Sequence, residues 1–365
     1  MSRVLFLVNH DAVIYNFRFE LVEELLKQNH EVFISCPYGE RIDELVKIGA
    51  IHKDISIDRH GMNPLKDLKL IRKYKQLIRE IKPDIVFSYT IKPNIYGAIA
   101  ARKCGVPCVA NITGLGTALE NGGIKQKICL LLYRFAFKRV QKVFFQNVNN
   151  KQFFEKHKIA LGKHDLLPGS GVNLERFRPL PYPNDSTIRF VFAGRIMREK
   201  GIDYYLESAR FVKTIYPNTE FHVCGFIENE YRGKLQECID SNLVVYHGMV
   251  RDIREVYRFT HCVVFPSYYP EGISNVLLEA AACARPIITT DRPGCKETVD
   301  NGITGFIVPV KNQRLLNEAI VAFIKLSEKN VFGEKGRKKI EKYFDRKIII
   351  RKYLDELQSL SDLKG

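Results

Sequence analysis

The sequence predicts two successive α/β domains, each built on a doubly wound, Rossmann-like parallel sheet. Short continuous apolar runs such as "RVLFLVN" and "IRFVFAGR" suit strands buried on both faces. Between them lie amphipathic segments with helical spacing, as in "NFRFELVEELLKQN" with Phe17, Leu21 and Leu25. The alternation restarts after "PGSGVNLERFRPLPYPNDST", where Gly, Pro, Asn and Asp cluster as in a linker. Two successive βα runs give two doubly wound domains. Ligands of such sheets bind outside the carboxyl ends of the strands, so a cleft between the domains is the expected site.

In the first run, "HEVFISC" is the second strand. "NPLKDLKLIRKYKQLIREIKP" is a long amphipathic helix, with Pro64 at its start and Pro83 just past its end. "DIVFSY" is the third strand, "NIYGAIAARKCG" a helix of small residues and "PCVANI" the fourth strand, with "KVFFQN" and "HDLLPGSG" as the later strands. In the second run, "IRFVFAGR", "EFHVCG", "LVVYHG", "HCVVFPS", "RPIITTD" and "GFIVPV" read as strands. "GIDYYLESARFVKTI", "DIREVYRFT", "SNVLLEAAACA" and "NQRLLNEAIVAFIKLSE" read as helices. The expected division is a first domain at 1–168, a linker at 169–187, a second domain at 188–345 and a final helix at 346–365 packing back toward the first domain.

With 365 residues, 45% of them hydrophobic, the chain can bury a substantial core. No stretch reaches the ~18 consecutive apolar residues of a membrane span. "MSRVLFLVNH" lacks the small-residue cleavage site of a signal peptide. Nine dispersed cysteines without a Cys-x-x-Cys suit reduced, buried thiols in a cytosolic protein. Cys104 and Cys108 have no second pair with which to hold zinc. The net charge of +16 is uneven: residues 1–183 hold 29 Lys+Arg against 17 Asp+Glu, and the remainder 28 against 24. Nucleic acid, an anionic membrane surface or a phosphate-bearing ligand would each match that excess, as would a basic background with no partner.

Several common chemistries lack their motifs. No Gly-x-Gly-x-x-Gly follows the first strand, and there is no P-loop and no Gly-x-Ser-x-Gly elbow. No two aspartates are separated by a single residue, which removes the Asp-x-Asp pair that many sugar-nucleotide enzymes use for a divalent metal.

What the sequence does hold is "PEGISNVLLEAAACARP" after a predicted strand. Gly272 permits a tight turn there. Ser274 or Asn275 can cap the next helix, whose first-turn N–H groups and dipole form an anion site suited to a diphosphate. Glu271 precedes this helix. Glu279 lies one to two turns in, among Leu277, Leu278, Ala280, Ala281 and Ala282. A carboxylate there can accept from two neighbouring hydroxyls, as on a ribose, or pair with an arginine on the helix face. In "FAGRIMREKGIDYYLES", Arg195 ends a strand and Lys200 stands just before Gly201 and a helix. As a pair they would neutralise a departing diphosphate; separately they are solvated loop cations.

Together, "GVNLERFRP", "AGRIMREKG" and "PEGISNVLLEAAACARPIITTDRPGCKETVDNGITGFIVP" resemble the retaining sugar-nucleotide glycosyltransferases of family 4, which have the GT-B fold. The resemblance covers nearly the whole chain and is strongest at 169–309, with Glu271 and Glu279 as the Glu-x7-Glu signature. It implies an N-terminal acceptor domain and a C-terminal nucleotide-sugar domain. It implies that Arg195 and Lys200 bind the donor diphosphate, that Glu271 holds hydroxyls of the transferred sugar and that Glu279 holds the ribose. Gly272 and the backbone of Ser274, Asn275 and Val276 would serve the phosphates, and Gly225, Met249 and Val250 lie near base and phosphates. No metal or other cofactor is implied.

The first half departs from the broad family. It has "NHDAVIYNFR" where many members have a Gly-Gly loop, and Thr113 in "NITGLGTALENGG" where many have a histidine. "IYNFR", "IKPNIYG" and "TGLG" resemble the bacterial subgroup that extends saccharides on undecaprenyl diphosphate, including transfer of N-acetylgalactosamine to lipid-linked diacetylbacillosamine. The partners implied are a UDP-sugar, an undecaprenyl-diphosphate-linked saccharide and an anionic membrane surface, with no nucleic acid. The implied setting is the cytoplasmic face of the cell membrane. Asn16, Arg18, Lys92, Asn94 and Thr113 are the acceptor-side candidates. "IKQKICLLLYRFAFKRVQK", with Lys125, Lys127, Arg134, Lys138 and Arg139, is a basic amphipathic stretch that suits either a membrane interface or an ordinary packed helix. Competing functions are a sugar-nucleotide epimerase of the same architecture, a family 4 transferase with a soluble acceptor, and a non-catalytic glycan- or nucleotide-binding module.

Overall fold

The computed structural model describes residues 1–58, 63–120 and 122–362. The chain forms two compact units, Met1–Ser170 together with the stretch from Lys347 onward, and Gly171–Arg346.

The first unit runs β1 (Arg3–Leu7), α1 (Asp11–Lys27), β2 (Glu31–Cys36), α2 (Ile42–Lys47), β3 (Ile51–Asp54), α3 (Pro64–Ile81), β4 (Ile85–Tyr89), α4 (Ala98–Cys104), β5 (Cys108–Ile112), α5 (Gly116–Glu120), α6 (Gly123–Ala136), β6 (Lys142–Phe145), α7 (Val148–Lys156) and β7 (His164–Leu166). All strands pair in parallel, in the order β3-β2-β1-β4-β5-β6-β7. The central strands are buried on both faces, which is why they read as unbroken apolar runs. Helix α3 starts where the sequence places it: the Asn63 side chain accepts from the N–H groups of Leu65 and Lys66, and Pro64 needs no donor there.

The second unit runs β8 (Ile188–Ala193), α8 (Ile202–Ile215), β9 (Thr219–Cys224), α9 (Arg232–Asp240), β10 (Val245–Tyr246), α10 (Ile253–Phe259), β11 (Cys262–Phe265), α11 (Asn275–Ala282), β12 (Ile287–Thr290), β13 (Gly305–Val308), α12 (Gln313–Lys325) and α13 (Lys329–Tyr343). Its sheet is also parallel, in the order β10-β9-β8-β11-β12-β13. The last helix, α14 (Arg346–Asp362), belongs chiefly to the first unit. Its Ile349, Tyr353, Leu357 and Leu360, at helical spacing, enter the same core as Val4, Phe6, Ile85 and Phe87.

Helices α2, α5, α7, α9 and α13 were not marked by the sequence pattern, and three further features go beyond it. Strand β3 was not expected, because "IHKD" is a half-exposed edge segment with no apolar run to mark it. The stretch expected as a linker is built into the second unit: Val172 and Phe177 are buried in its core, and Leu174 and Leu180 pack against it. The Val172 N–H donates to the Phe344 carbonyl at 2.9 Å, and the Arg346 N–H donates to the Val172 carbonyl at 3.1 Å. Finally, Pro93–Gly97 forms a wide helical turn ahead of α4 and buries Asn94.

Candidate active site

In the second unit, the carboxyl ends of the central strands β8 and β11 bring together two residues 71 positions apart. Lys200 and Glu271 form an ion pair through Nζ and Oε1, with side chains 16% and 14% exposed. Lys200 ends a short helical turn after β8, and Gly201 follows at φ +82°. A Cβ on Gly201 would stand 2.1 Å from the Pro266 carbonyl oxygen, so glycine lets this turn lie against the end of β11. The Lys200 ammonium also sits 4.8 Å from the Tyr269 ring centroid and 5.4 Å from that of Phe265. Glu271 follows β11 in the turn that leads to α11. The buried Cys295 thiol lies in the field of both charges, and burial keeps it protonated.

The turn that carries Glu271 is braced by the loop after β12. The Ser274 N–H donates to the Gly294 carbonyl at 2.8 Å, the Gly294 N–H to the Glu297 carboxylate at 2.7 Å, and Arg292 Nε to the Tyr269 carbonyl at 3.2 Å. This corrects one expectation: the Ser274 N–H is committed to the protein and is not a phosphate donor. Ser274 is the residue before α11, so the first-turn N–H groups of Asn275 and Val276 remain available at the positive end of the helix. Gly272 is buried within the same turn.

Glu279 projects from the second turn of α11. Burial pushes its carboxyl up to about 7, with Arg346 and Arg176 pulling it down and Asp252 pushing it up. No hydrogen-bond donor meets this half-buried carboxylate among the described residues. It is an acceptor without a donor, on the same helix as the free N–H groups.

Arg195 stands apart from Lys200. Its side chain is 57% exposed and faces Glu228 at 3.6 Å. Gly225, at the end of β9, has φ +135°, and a Cβ there would collide with the Gly194 carbonyl oxygen at 1.8 Å. Its N–H donates to the Gly248 carbonyl and its own carbonyl accepts from the Tyr246 hydroxyl, both at 2.8 Å. Gly225 therefore shapes the strand end through its lack of a side chain. Val250 packs beneath, while Met249 is exposed. Phe226, missed by the sequence reading, is exposed at the end of the same strand. Its signal was available: a large aromatic residue directly after the glycine that closes β9.

In the first unit, most of the acceptor-side candidates are engaged by the protein itself. Arg18 is 2% exposed, with its guanidinium 5.1 Å from the Tyr89 ring centroid and 5.5 Å from that of Tyr353, so it is a core cation and not a surface group. Asn94 is buried too: Ser88 Oγ donates to its Oδ1 at 2.8 Å, and its Nδ2 donates to the Asn111 carbonyl at 2.9 Å. Both residues face the packing because α1 and the turn after β4 lie over the sheet. Asn16 is exposed and accepts from Arg41 at 2.6 Å. Lys92 pairs with Asp67 at 3.0 Å, and Thr113 is half-buried after β5.

The architecture matches known proteins over its full length. A glycosyltransferase from Rickettsia africae superposes with a TM-score of 0.83 at 19% identity, covering 98% of both chains. Anabaena HepE, solved with UDP-glucose, gives 0.82 at 17% identity, covering 98% of this chain and 100% of that one. The family model "Glycosyl transferases group 1" matches residues 187–325, and "Glycosyl transferase 4-like" matches residues 3–147. The protein is a glycosyltransferase of the GT-B fold, with two Rossmann-like parallel-sheet domains.

Within that class it is related to the family 4 nucleotide-sugar transferases. The N,N'-diacetylbacillosaminyl-diphospho-undecaprenol alpha-1,3-N-acetylgalactosaminyltransferase of Campylobacter jejuni is 26% identical, over 96% of this chain and 97% of its own length. The UDP-Gal:alpha-D-GlcNAc-diphosphoundecaprenol alpha-1,3-galactosyltransferase of Escherichia coli is 27% identical, over 89% and 86%. The chain transfers a sugar from a nucleotide-sugar donor to a glycan acceptor.

Proposed function

We propose that this enzyme transfers a hexose or N-acetylhexosamine from a UDP-sugar to an undecaprenyl-diphosphate-linked saccharide, with retention at the anomeric carbon. The observation that carries the donor half is the convergence of Lys200 and Glu271 beside the free N–H groups of α11. On donor binding the diphosphate competes for Lys200 and releases Glu271 to the hydroxyls of the transferred sugar. Asn275 and Val276 N–H groups hold phosphate oxygens, Glu279 accepts from the ribose, and Arg195 turns in from Glu228. The anomeric C–O bond to the diphosphate breaks and the acceptor oxygen bonds to the same face of the carbon. The acceptor proton passes to the departing phosphate oxygen, and Lys200 with the helix dipole stabilises the growing negative charge.

The acceptor half is supported by the Campylobacter and Escherichia relatives, whose names specify diphospho-undecaprenol acceptors. It is supported too by α6, where Ile124, Ile128, Leu131 and Phe135 are all exposed. At spacings of four, three and four they make one stripe opposite the buried Cys129, Tyr133 and Ala136. Exposed Lys125, Lys127, Arg134, Lys138 and Arg139 accompany this stripe, with no acidic residue from 123 to 139. An apolar ridge with a cationic border suits peripheral attachment to an anionic leaflet. Such an enzyme serves surface-glycan assembly at the cytoplasmic face of the membrane. No helix among the described residues is long and apolar enough to cross a membrane.

The test is to incubate the protein with a panel of UDP-sugars and a short-chain polyprenyl-diphosphate saccharide, reading product mass and anomeric configuration. A mass gain of one hexose or N-acetylhexosamine with retained configuration is expected. Epimerisation of UDP-N-acetylglucosamine without acceptor, or inverted product, overturns the reading.

A further inference from the structure

We infer that His222 and His247 are positioning residues for the nucleoside end of the donor: one hydrogen bond between their rings fixes the strand end that carries Gly248, Met249 and Val250. The inference rests on the nucleotide-sugar reading above. His222 Nδ1 and His247 Nε2 lie 2.9 Å apart, with ring centroids at 5.2 Å. His222 stands on β9 and is 6% exposed; His247 follows β10 and is exposed. The Glu220 carboxylate lies 3.3 Å from His222 Nε2 and also accepts from Arg189 Nε at 2.8 Å. An ionised carboxylate can only accept, so His222 carries its proton on Nε2. Its Nδ1 is left to accept from the His247 Nε2–H. Burial, with His247 beside it, pushes His222 down to about 4 although Glu220 opposes the shift, so the ring stays a neutral acceptor at neutral pH. The Phe259 ring closes the pair, 5.1 Å from the His222 ring and 5.8 Å from that of His247.

The tie falls where the sheet is weakest. Strand β10 is an edge and pairs with β9 through Val245 and Tyr246. Past them the His247 N–H donates to the Val223 carbonyl at 2.9 Å, and the Gly248 carbonyl takes the Gly225 N–H at 2.8 Å. The His247 ring adds a side-chain bond between those two backbone bonds. This strand end adjoins the donor site: Val250 and Val276 pack with Phe259 on one small apolar cluster, and Val276 is in the first turn of α11. Phe226 and Met249, just past the carboxyl ends of β9 and β10, are 53% and 66% exposed, which gives a planar base two apolar side chains to lie on. A nucleoside whose diphosphate is held at α11 therefore meets β10 through the residues that the histidine pair fixes.

The full-length protein is compared with its His247→Ala and His247→Gln variants, by calorimetry with UDP and with inorganic pyrophosphate. His247 is exposed, so the fold is expected to persist, and melting curves check it. His247→Ala is expected to bind UDP about three- to tenfold more weakly, the range for one lost neutral hydrogen bond, and to bind pyrophosphate as wild type does. The Gln amide can donate to His222 Nδ1, so His247→Gln is expected to restore UDP affinity. KM for the UDP-sugar should rise in the Ala variant while kcat holds. Unchanged UDP affinity in His247→Ala overturns the inference. So does an equal loss for UDP and pyrophosphate, which marks a general loosening of the unit, and so does a Gln variant no better than Ala. If wild type prefers GDP or ADP to UDP, the UDP reading falls, and the affinity ratio of that nucleotide to pyrophosphate then decides the role of the histidines. A wild type that binds none of the three nucleotides removes the donor reading and this inference with it.

Discussion

The two units put the same architecture to different use at their strand ends. In the second, polar groups at the ends of β8 and β11 converge and stay exchangeable. Among the described residues, Lys200 holds only Glu271 and two ring faces, and the Glu279 carboxylate has no donor. In the first, Asn94 is spent on Ser88 and Asn111, and Arg18 is closed between Tyr89 and Tyr353, its Nη1 donating to the Phe17 carbonyl at 2.6 Å while Nε and Nη2 meet no hydrogen-bond partner among the described residues. A residue's place after a strand therefore does not make it a ligand group. What distinguishes a site is uncommitted polar capacity that a ligand can reach: Arg18 Nε and Nη2 also lack hydrogen-bond partners but are sealed among ring faces, whereas Glu279 is only half-buried.

The sharpest way to break that contrast is at the ion pair. Lys200→Ala and Glu271→Ala are each expected to lower kcat by about 10²–10³-fold, as for loss of one transition-state electrostatic contact. Lys200→Met combined with Glu271→Gln should recover thermal stability over either single variant, since it strands no buried charge, yet recover no turnover. Steady-state assays beside melting curves decide it, and near-normal turnover in the single variants would remove both residues from the site.

In the first unit the large effect is expected on stability. Tyr353→Ala removes a buried ring and one face of the Arg18 enclosure, and should cost roughly 3–5 kcal/mol by denaturant unfolding. Donor affinity, read by calorimetry with UDP, should stay put. Parallel loss of UDP binding would show that the units do not divide the work as described.

Glu279 gives a pH signature. Its carboxyl titrates at about 7, against an ordinary 4.5. Ribose hydroxyls donate to the ionised form, so donor affinity should fall about tenfold per pH unit below that midpoint and level off above it. Stability runs the other way. A carboxyl raised in the folded state favours the neutral form, so its contribution is fully present below pH 4.5 and lost as pH rises through about 7. Glu279→Gln should flatten both profiles. The smallest effect is expected at Arg195, exposed and loosely paired: Arg195→Ala should lower kcat/KM by about tenfold, as for one screened contact. A loss equal to that of Lys200→Ala would mean that Arg195 swings fully onto the diphosphate.

Much of this was legible in the sequence. The buried strands announced themselves as apolar runs, and α3 as an amphipathic run between two prolines. Glu271, Glu279 and Lys200 stood out because each was a charge beside a turn or inside an apolar segment. What was not legible depended on pairing across the chain. No local pattern tells that Gly294 takes the Ser274 N–H, that Arg18 faces inward between rings from β4 and α14, or that Val172 and Phe177 leave the apparent linker for the core. The edge strand β3 has too little burial to leave an alternating signature.

The placement of α14 also has a consequence in time. The core of the first unit needs Ile349, Tyr353, Leu357 and Leu360, which are synthesised long after Ser170. At about 5–20 residues per second, a growing chain waits roughly ten to forty seconds between the two. Throughout that interval the face that α14 will cover is open, and Arg18 with it. The second unit is contiguous in sequence and can close first, so the half of the enzyme that is made first is the half that finishes folding last.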